Sequence, residues 1–288
     1  MYNTYPSDYT TYERVNEQIK SNPNQGDLTN DADIVKHYIH VASDQVREYC
    51  SRTFVPYIDA SHKVLYGDLS RFRILQLGDD ALSVSTITDA SGDEITSGNY
   101  RLRDVTNHIS GYPKRYVEIS TQANAFGFAD YDFEPTFTVD GIWGYSTRSY
   151  DNSWDTLSTT SETLTDSTTD IVVADSTLYE VYDYIRIESE FMQVTANDTA
   201  TDTLTVTRGV NGSTAVAHDG SSTALDVDRW QIEHAVKDAT TRLTAFLYQS
   251  RQGLGNTIVF QDGTVASQYP SLVWSSLFKY KRLVARSV

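Results

Sequence analysis

Two stretches of helical periodicity, about 180 residues apart, bracket a long run in which apolar and polar residues alternate. In residues 31–52, Ile34, Tyr38, Val41, Ala42, Val46, Tyr49 and Cys50 recur at helical spacing. Phe54 closes that face and Pro56 forbids continuation. Asn30, with Asp33 three residues on, is a start signal. In residues 228–250, Ile232, Ala235, Val236, Ala239, Leu243, Phe246 and Leu247 form a second stripe, capped by Asp228 and ended near Arg251 and Gly253. Because the stripes match, the two helices are expected to pack together. Ile34, Tyr38, Val46 and Phe54 then form the core on one side, and Ile232, Val236, Leu243 and Phe246 on the other.

Between the helices the period is two. The segment 61–145 alternates at 62–66, 73–77, 82–88, 100–102, 116–119 and 137–145, with turn chemistry at Asp89-Ala90-Ser91-Gly92-Asp93. A Ser/Thr/Asp-rich stretch at 146–163 separates it from shorter strands at 170–173, 184–187, 190–194 and 203–207, whose spacing points to a small barrel or sandwich. Before the first helix, Thr11–Lys20 fits a short helix and Ser21–Gly26 a break. After the second helix comes a loop or hairpin around Ile258-Val259-Phe260, then a last helix over 271–285. The expected fold class is α+β: a helical body with a β-rich segment and an inserted small all-β domain. The expected boundaries are an arm at 1–30, a body at 31–150 and 228–270, an inserted acidic β domain at 151–227 and a docking segment at 271–288.

The net charge of −16 argues against a coat that binds DNA non-specifically. Its distribution is uneven. Residues 151–227 hold 14 acids and 2 bases, whereas 228–288 hold 4 acids and 8 bases. The single cysteine, Cys50, rules out an internal disulfide and reads as a buried apolar group. No basic-then-apolar leader opens the chain and no run approaches a membrane span, so a soluble product made in a cytoplasm is expected.

No catalytic or cofactor pattern stands out, and neither a cofactor nor a metal is expected. His37 and His40 lie three apart on the first helix without a third ligand. Asp198 and Asp202 lack the central glycine of a calcium loop. The many carboxylates of 164–226 could form a hydrolytic pair, but a solvated acidic face is the commoner outcome. The C-terminal segment is more informative. Leu272, Trp274, Leu277 and Phe278 are apolar or aromatic, Lys279, Lys281, Arg282 and Arg286 are basic, and no acid follows Asp262. Aromatic anchors beside positive charge suit docking on an acidic partner surface; the alternatives are a helix packed on its own domain with exposed bases, or a helix lying on a membrane surface.

The run Ile34–Ile39, then Ala42 to Phe54 ending in Ser51-Arg52-Thr53-Phe54, resembles the opening helix of phage head–tail connector proteins. The segments Asn99-Tyr100-Arg101-Leu102, Gly111-Tyr112-Pro113 and Val139-Asp140-Gly141-Ile142-Trp143-Gly144-Tyr145 continue that pattern in order. A second stretch, Ile185–Val194 followed by Leu204-Thr205-Val206-Thr207-Arg208-Gly209-Val210-Asn211-Gly212-Ser213 and Ala217-His218, is similar to a small β module of phage virion proteins. It interrupts the connector pattern, so the resemblance implies a connector with an insertion.

The resemblance implies a structural, non-enzymatic virion protein at the head–tail interface. It would form a ring of about twelve copies. Its C-terminal segment would grip the portal protein, and its other face would receive the next tail component, a stopper, terminator or hub. Double-stranded DNA would pass through the lumen without sequence-specific binding, and no membrane is involved. The alternative is a tail or baseplate module whose β domain recognises a host glycan.

Overall fold

A computed structural model describes residues 8–20, 31–65, 74–89, 92–104, 106, 108–109, 111–120, 136–251, 258–259, 265–266 and 271–282. Among these, strand outweighs helix, 36% against 30%. The expectation of a helical body with an inserted β domain is therefore corrected: the protein is mostly antiparallel β, with four α-helices among the described residues. The physical reason is where the apolar surface lies. The strands carry enough inward-facing Ile, Val and Leu to build cores of their own, so the helices are not the frame that holds them.

Contacts divide the chain into two compact units. One gathers residues before Val55, Asp155–Val210 and Thr214 onward; the other is Val55–Trp154 with Asn211–Ser213. The segment that leaves and re-enters the first unit is thus 55–154, while the barrel expected as an insertion groups with the helices.

The first unit holds α1 (Tyr12–Lys20), α2 (Ala32–Cys50), α3 (His234–Ser250) and α4 (Ser271–Leu277). It also holds a six-stranded sheet in the order β6-β13-β9-β10-β11-β8. These strands are β6 (Trp154–Thr160), β8 (Asp170–Val172), β9 (Tyr184–Ile187), β10 (Glu190–Asp198), β11 (Thr203–Thr207) and β13 (Leu225–Trp230). The sheet curls toward closure, because Ala174 N–H donates to the Thr159 carbonyl at 2.9 Å and Asp175 N–H to Ser158 Oγ at 3.0 Å. Ile171, Ile185, Ile187, Met192, Val194, Leu204, Val206 and Val227 fill the interior. Short pairs β7 (Thr163–Leu164) with β12 (His218–Asp219), and β14 (Ile258–Val259) with β15 (Val265–Ala266), complete its strands.

The buried face of α2 is Val35, Ile39, Ala42, Ser43, Val46 and Cys50. It is rotated by one residue, about 100°, from the stripe read in the sequence at its N-terminal end. Ile34 is 43% exposed and Tyr38 only half-buried, while Val46 and Phe54 are fully buried. The helix stops where Ser51 adopts φ 52°, and its N–H and that of Arg52 return to the Glu48 and Arg47 carbonyls. Asn30, the expected start signal, Ser21–Gly26, the expected break, and Gly253, the expected end of the second helix, lie outside the described residues; Asp31 precedes the helix.

The second helix begins later than expected. Asp228 is a strand residue of β13, because Val227 and Trp230 are claimed by the barrel and by a bond from Trp230 Nε1 to the Phe54 carbonyl at 2.8 Å. Ile232 therefore precedes α3 and is half-buried, as is Phe246, whereas Val236 and Leu243 are buried. Thr240, Thr241 and Thr244 share the buried face, since each hydroxyl donates to the carbonyl one turn back at 2.8 Å.

The second unit is a five-stranded sheet, order β1-β5-β2-β4-β3. Its strands are β1 (Tyr57–Leu65), β2 (Ile74–Thr88), β3 (Tyr100–Asp104), β4 (Lys114–Ile119) and β5 (Thr136–Trp143). The early part of β2 pairs with β4 and the later part with β5, with Gly78 at φ 73° in between. Two glycines of the Val139–Tyr145 segment have steric reasons to be there. A Cβ on Gly141 would lie 2.3 Å from the Ser83 carbonyl oxygen, and one on Gly144, at φ 136°, 2.6 Å from that of Val55.

Candidate assembly surface

The residues of the second resemblance converge on one carboxylate. Glu190 opens β10 immediately after a tight turn, since Ile187 pairs with Glu190 across Glu188-Ser189. Its side chain is fully buried. Arg208, following β11, meets it through two nitrogens: Nε lies 2.6 Å from Oε1 and Nη2 2.7 Å from Oε2. The N–H groups of Gly209 and Val216 donate to the same carboxylate, each at 3.1 Å. His218 sits with one ring nitrogen 2.9 Å from Glu190 Oε2 and the other 2.6 Å from Glu188 Oε2. The remaining Arg208 donors reach the carbonyls of Thr165, Thr168 and Val216. Burial alone would raise the Glu190 pKa, but the bonds from Arg208, Val216 and His218 hold it below the ordinary carboxylate value.

This network is saturated. Glu190 is surrounded by donors and Arg208 by acceptors, so neither offers a free group to a substrate. It locks three separate segments of the barrel, which explains the Arg-Gly and Ala-His elements of the motif as architecture. Gly209, Asn211 and Gly212 take positive φ between them, as the tight return requires. Arg186 is likewise consumed, with Nη2 2.6 Å from Asp228 Oδ2. Both bases of residues 151–227 are thus paired, while Asp166, Asp170, Asp198, Asp219 and Asp226 remain exposed and unbalanced.

The residues of the first resemblance are also structural. Arg52 and Phe54 are buried, and Phe54 takes the rings of Tyr9 and Tyr280 edge-on at 5.3 and 6.0 Å. Gly111 faces Asp104, whose carboxylate gathers Thr106 N–H, Thr106 Oγ1 and His108 N–H at 2.7–2.9 Å.

The eight C-terminal residues expected to dock are divided by the fold. Leu277 is fully buried, beside Val273 and Tyr280. Trp274 packs against Tyr49 of α2, the rings tilted by 42° with centroids 4.8 Å apart. The Arg282 N–H donates to the Cys50 carbonyl at 2.8 Å. Leu272 and Phe278 point outward, 73% and 66% exposed, and Lys279 and Lys281 are exposed with them. Lys281 also lies over the Tyr49 ring. The helix is shorter than expected: α4 ends at Leu277 and a 3-10 turn carries Phe278–Tyr280. Arg286 lies outside the described residues.

Other candidates do not assemble. Among the described residues no set of three His, Cys, Asp or Glu side chains is placed to hold a metal. His37 contacts Tyr38, while His40 pairs with Asp8. The Cys50 thiol is pushed up to about 12 by burial, which makes it a poor nucleophile. Asp198 caps its own turn through Ala200 N–H, and Asp202 accepts from Ser176 N–H. An open groove of about 470 Å³ between α1 and α3 mixes Arg14, His234 and Lys237 with Glu17 and Asp238 and converges on no single chemistry. No described helix is long and apolar enough to cross a membrane.

Glu190, Arg208 and His218 all lie within the second motif, although their spacing alone does not pair them. The signal was there: a charged residue of each sign and a histidine among apolar strands need one another once buried. No family model, curated protein or solved structure matches this chain.

Proposed function

We propose that the chain is a structural subunit of a tailed-phage virion, a head–tail adaptor that assembles into a ring between portal and tail. The observation that carries this reading is the two-faced C-terminal segment. Val273, Leu277 and Tyr280 fix it to the body, and Leu272, Phe278, Lys279 and Lys281 stand out from it. A large exposed aromatic, rigidly presented and flanked by ammonium groups, loses little entropy on docking and suits an acidic partner groove. The portal is the partner that the sequence resemblance implies. The motif residues Arg52, Phe54, Glu190, Arg208 and His218 favour the same reading, because they are spent on packing or on a buried charge network. An unbalanced acidic barrel surface fits a wall past which DNA slides, since it repels phosphates.

The test is binding of the full chain to purified portal rings, followed by native mass spectrometry. Phe278→Asp with Lys279→Glu should abolish the complex while leaving circular dichroism unchanged. Retained binding by that variant would move the docking site elsewhere. Binding of the wild-type chain to a host-surface glycan, and none to portal, would replace the proposal with a receptor-binding module.

A further inference from the structure

The N-terminal segment of the first unit is held by buried polar groups as well as by the apolar burial of Tyr9, Val15 and Ile19. Asp8, Thr10 and Thr11 are buried. The Asp8 N–H donates to the Tyr184 hydroxyl at 3.1 Å, and the Tyr9 N–H to Ser43 Oγ at 3.0 Å. Thr10 and Thr241 share a hydroxyl bond of 2.6 Å, and Thr11 donates to Glu180 at 2.6 Å. The Asp8 side chain has no solvent exposure. One of its oxygens accepts from Gln193 Nε2 at 3.0 Å, and the other lies 2.6 Å from His40 Nδ1. Among the described ion pairs, His40 is the cation that meets this carboxylate.

A buried ionised carboxylate is costly unless hydrogen bonds and a counter-charge compensate it. Lysine or arginine would supply a permanent one; histidine supplies it only while protonated. His40 is half-exposed, so its proton exchanges with solvent while its partner stays dry. We propose that Asp8 and His40 form a proton-controlled latch, which holds residues 8–20 in place when the imidazole is charged and lets them detach when it is not.

The surroundings bias the latch toward the closed state. Asp44 on α2 adds a second negative charge near His40. The barrel presents Tyr182, its ring 5.7 Å from the imidazole and itself facing Asp33, and the Tyr184 hydroxyl. From α3 comes the uncharged Thr241. The Asp8 carboxylate raises the His40 pKa above the ordinary imidazole value, against the opposing effect of burial. The sign follows: a raised folded value means the contribution is complete below the ordinary histidine pKa and is lost as pH rises through the folded value. Opening would uncover the apolar residues Val35, Ile39 and Tyr248, which Val15 and Ile19 of α1 cover.

Hydrogen–deuterium exchange of the full chain tests this, read by mass spectrometry from about pH 6 to about pH 8.5 and corrected for intrinsic exchange. Peptides covering 8–20 should lose protection several-fold across that range, while barrel peptides stay constant. His40→Gln should leave the segment poorly protected at every pH. Asp8→Asn, which removes the buried charge, should keep it protected and abolish the pH dependence, and it reads the same pair should His40→Gln not fold. Flat protection in the wild type, or pH dependence that survives Asp8→Asn, overturns the latch. Neither residue belongs to the surface assigned to docking, so this result is separable from that of the portal-binding test.

Discussion

The barrel of the first unit and the five-stranded sheet of the second are both antiparallel structures, yet different physics fixes their registers. In the barrel a buried carboxylate, Glu190, gathers an arginine, a histidine and two backbone N–H groups from segments distant in sequence. In the sheet, β5 crosses β2 and passes Val55 through glycines that let backbones approach closely, with Trp143 fully buried beside them. A charge network is unforgiving, because a missing partner leaves the rest stranded in low dielectric. A glycine crossing fails through steric displacement, which neighbours can partly absorb. The same chain therefore holds one β structure that is specified electrostatically and another specified by shape.

That contrast can be broken by substitution. The largest effect should come from Glu190→Gln, which leaves Arg208 buried without its counter-charge. A loss of about 3–5 kcal/mol is expected, read from denaturant unfolding with a fluorescence probe in the barrel. An effect under about 1 kcal/mol would mean the network behaves like a surface pair. Leu277→Ala should come next, at about 2–5 kcal/mol, because it opens a cavity under α4 in the first unit. Gly141→Ala should cost about 1–3 kcal/mol and should appear in the exchange rates of β2 and β5 while barrel amides keep theirs. Phe278→Asp should change stability by no more than about 0.5 kcal/mol while removing portal binding; a large loss of stability would place Phe278 in the core.

Acid sharpens the same contrast. The Glu190 pKa is depressed in the folded state, so its contribution is present above the ordinary glutamate value and is lost as pH falls through the folded one. Barrel stability should decline along that acid limb, and Glu190→Gln should flatten the decline. If the variant and the parent lose stability in parallel, other carboxylates govern acid unfolding.

Much of the strand content was legible, because alternation and turn residues are local. The strands at 184–187 and 203–207 fall where the pattern puts them. The start of α3 was not legible. Asp228 looks like a cap, but Val227 and Trp230 are drawn into the barrel, a tertiary demand no local signal records. The face of α2 is displaced by one residue, because Ile34 and the Tyr38 ring offer an apolar stripe beside that of Val35 and Ile39 and only the partner surface chooses between them. On α3 the buried threonines defeated the hydropathy reading, since their bonds to the preceding turn make them acceptable inside. The fold class failed for a related reason. Two conspicuous helical stripes drew attention as a frame, whereas the more numerous apolar positions were spread through short strands. For the candidate surface, composition marked the C-terminal segment, but only packing separated the anchoring Leu277 from the presented Phe278.

Cryo-electron microscopy of the full chain mixed with its portal tests the central claim most directly. The account predicts a closed ring of copies seated on the portal through Leu272, Phe278, Lys279 and Lys281. Dispersed single copies beside bare portal rings would contradict it.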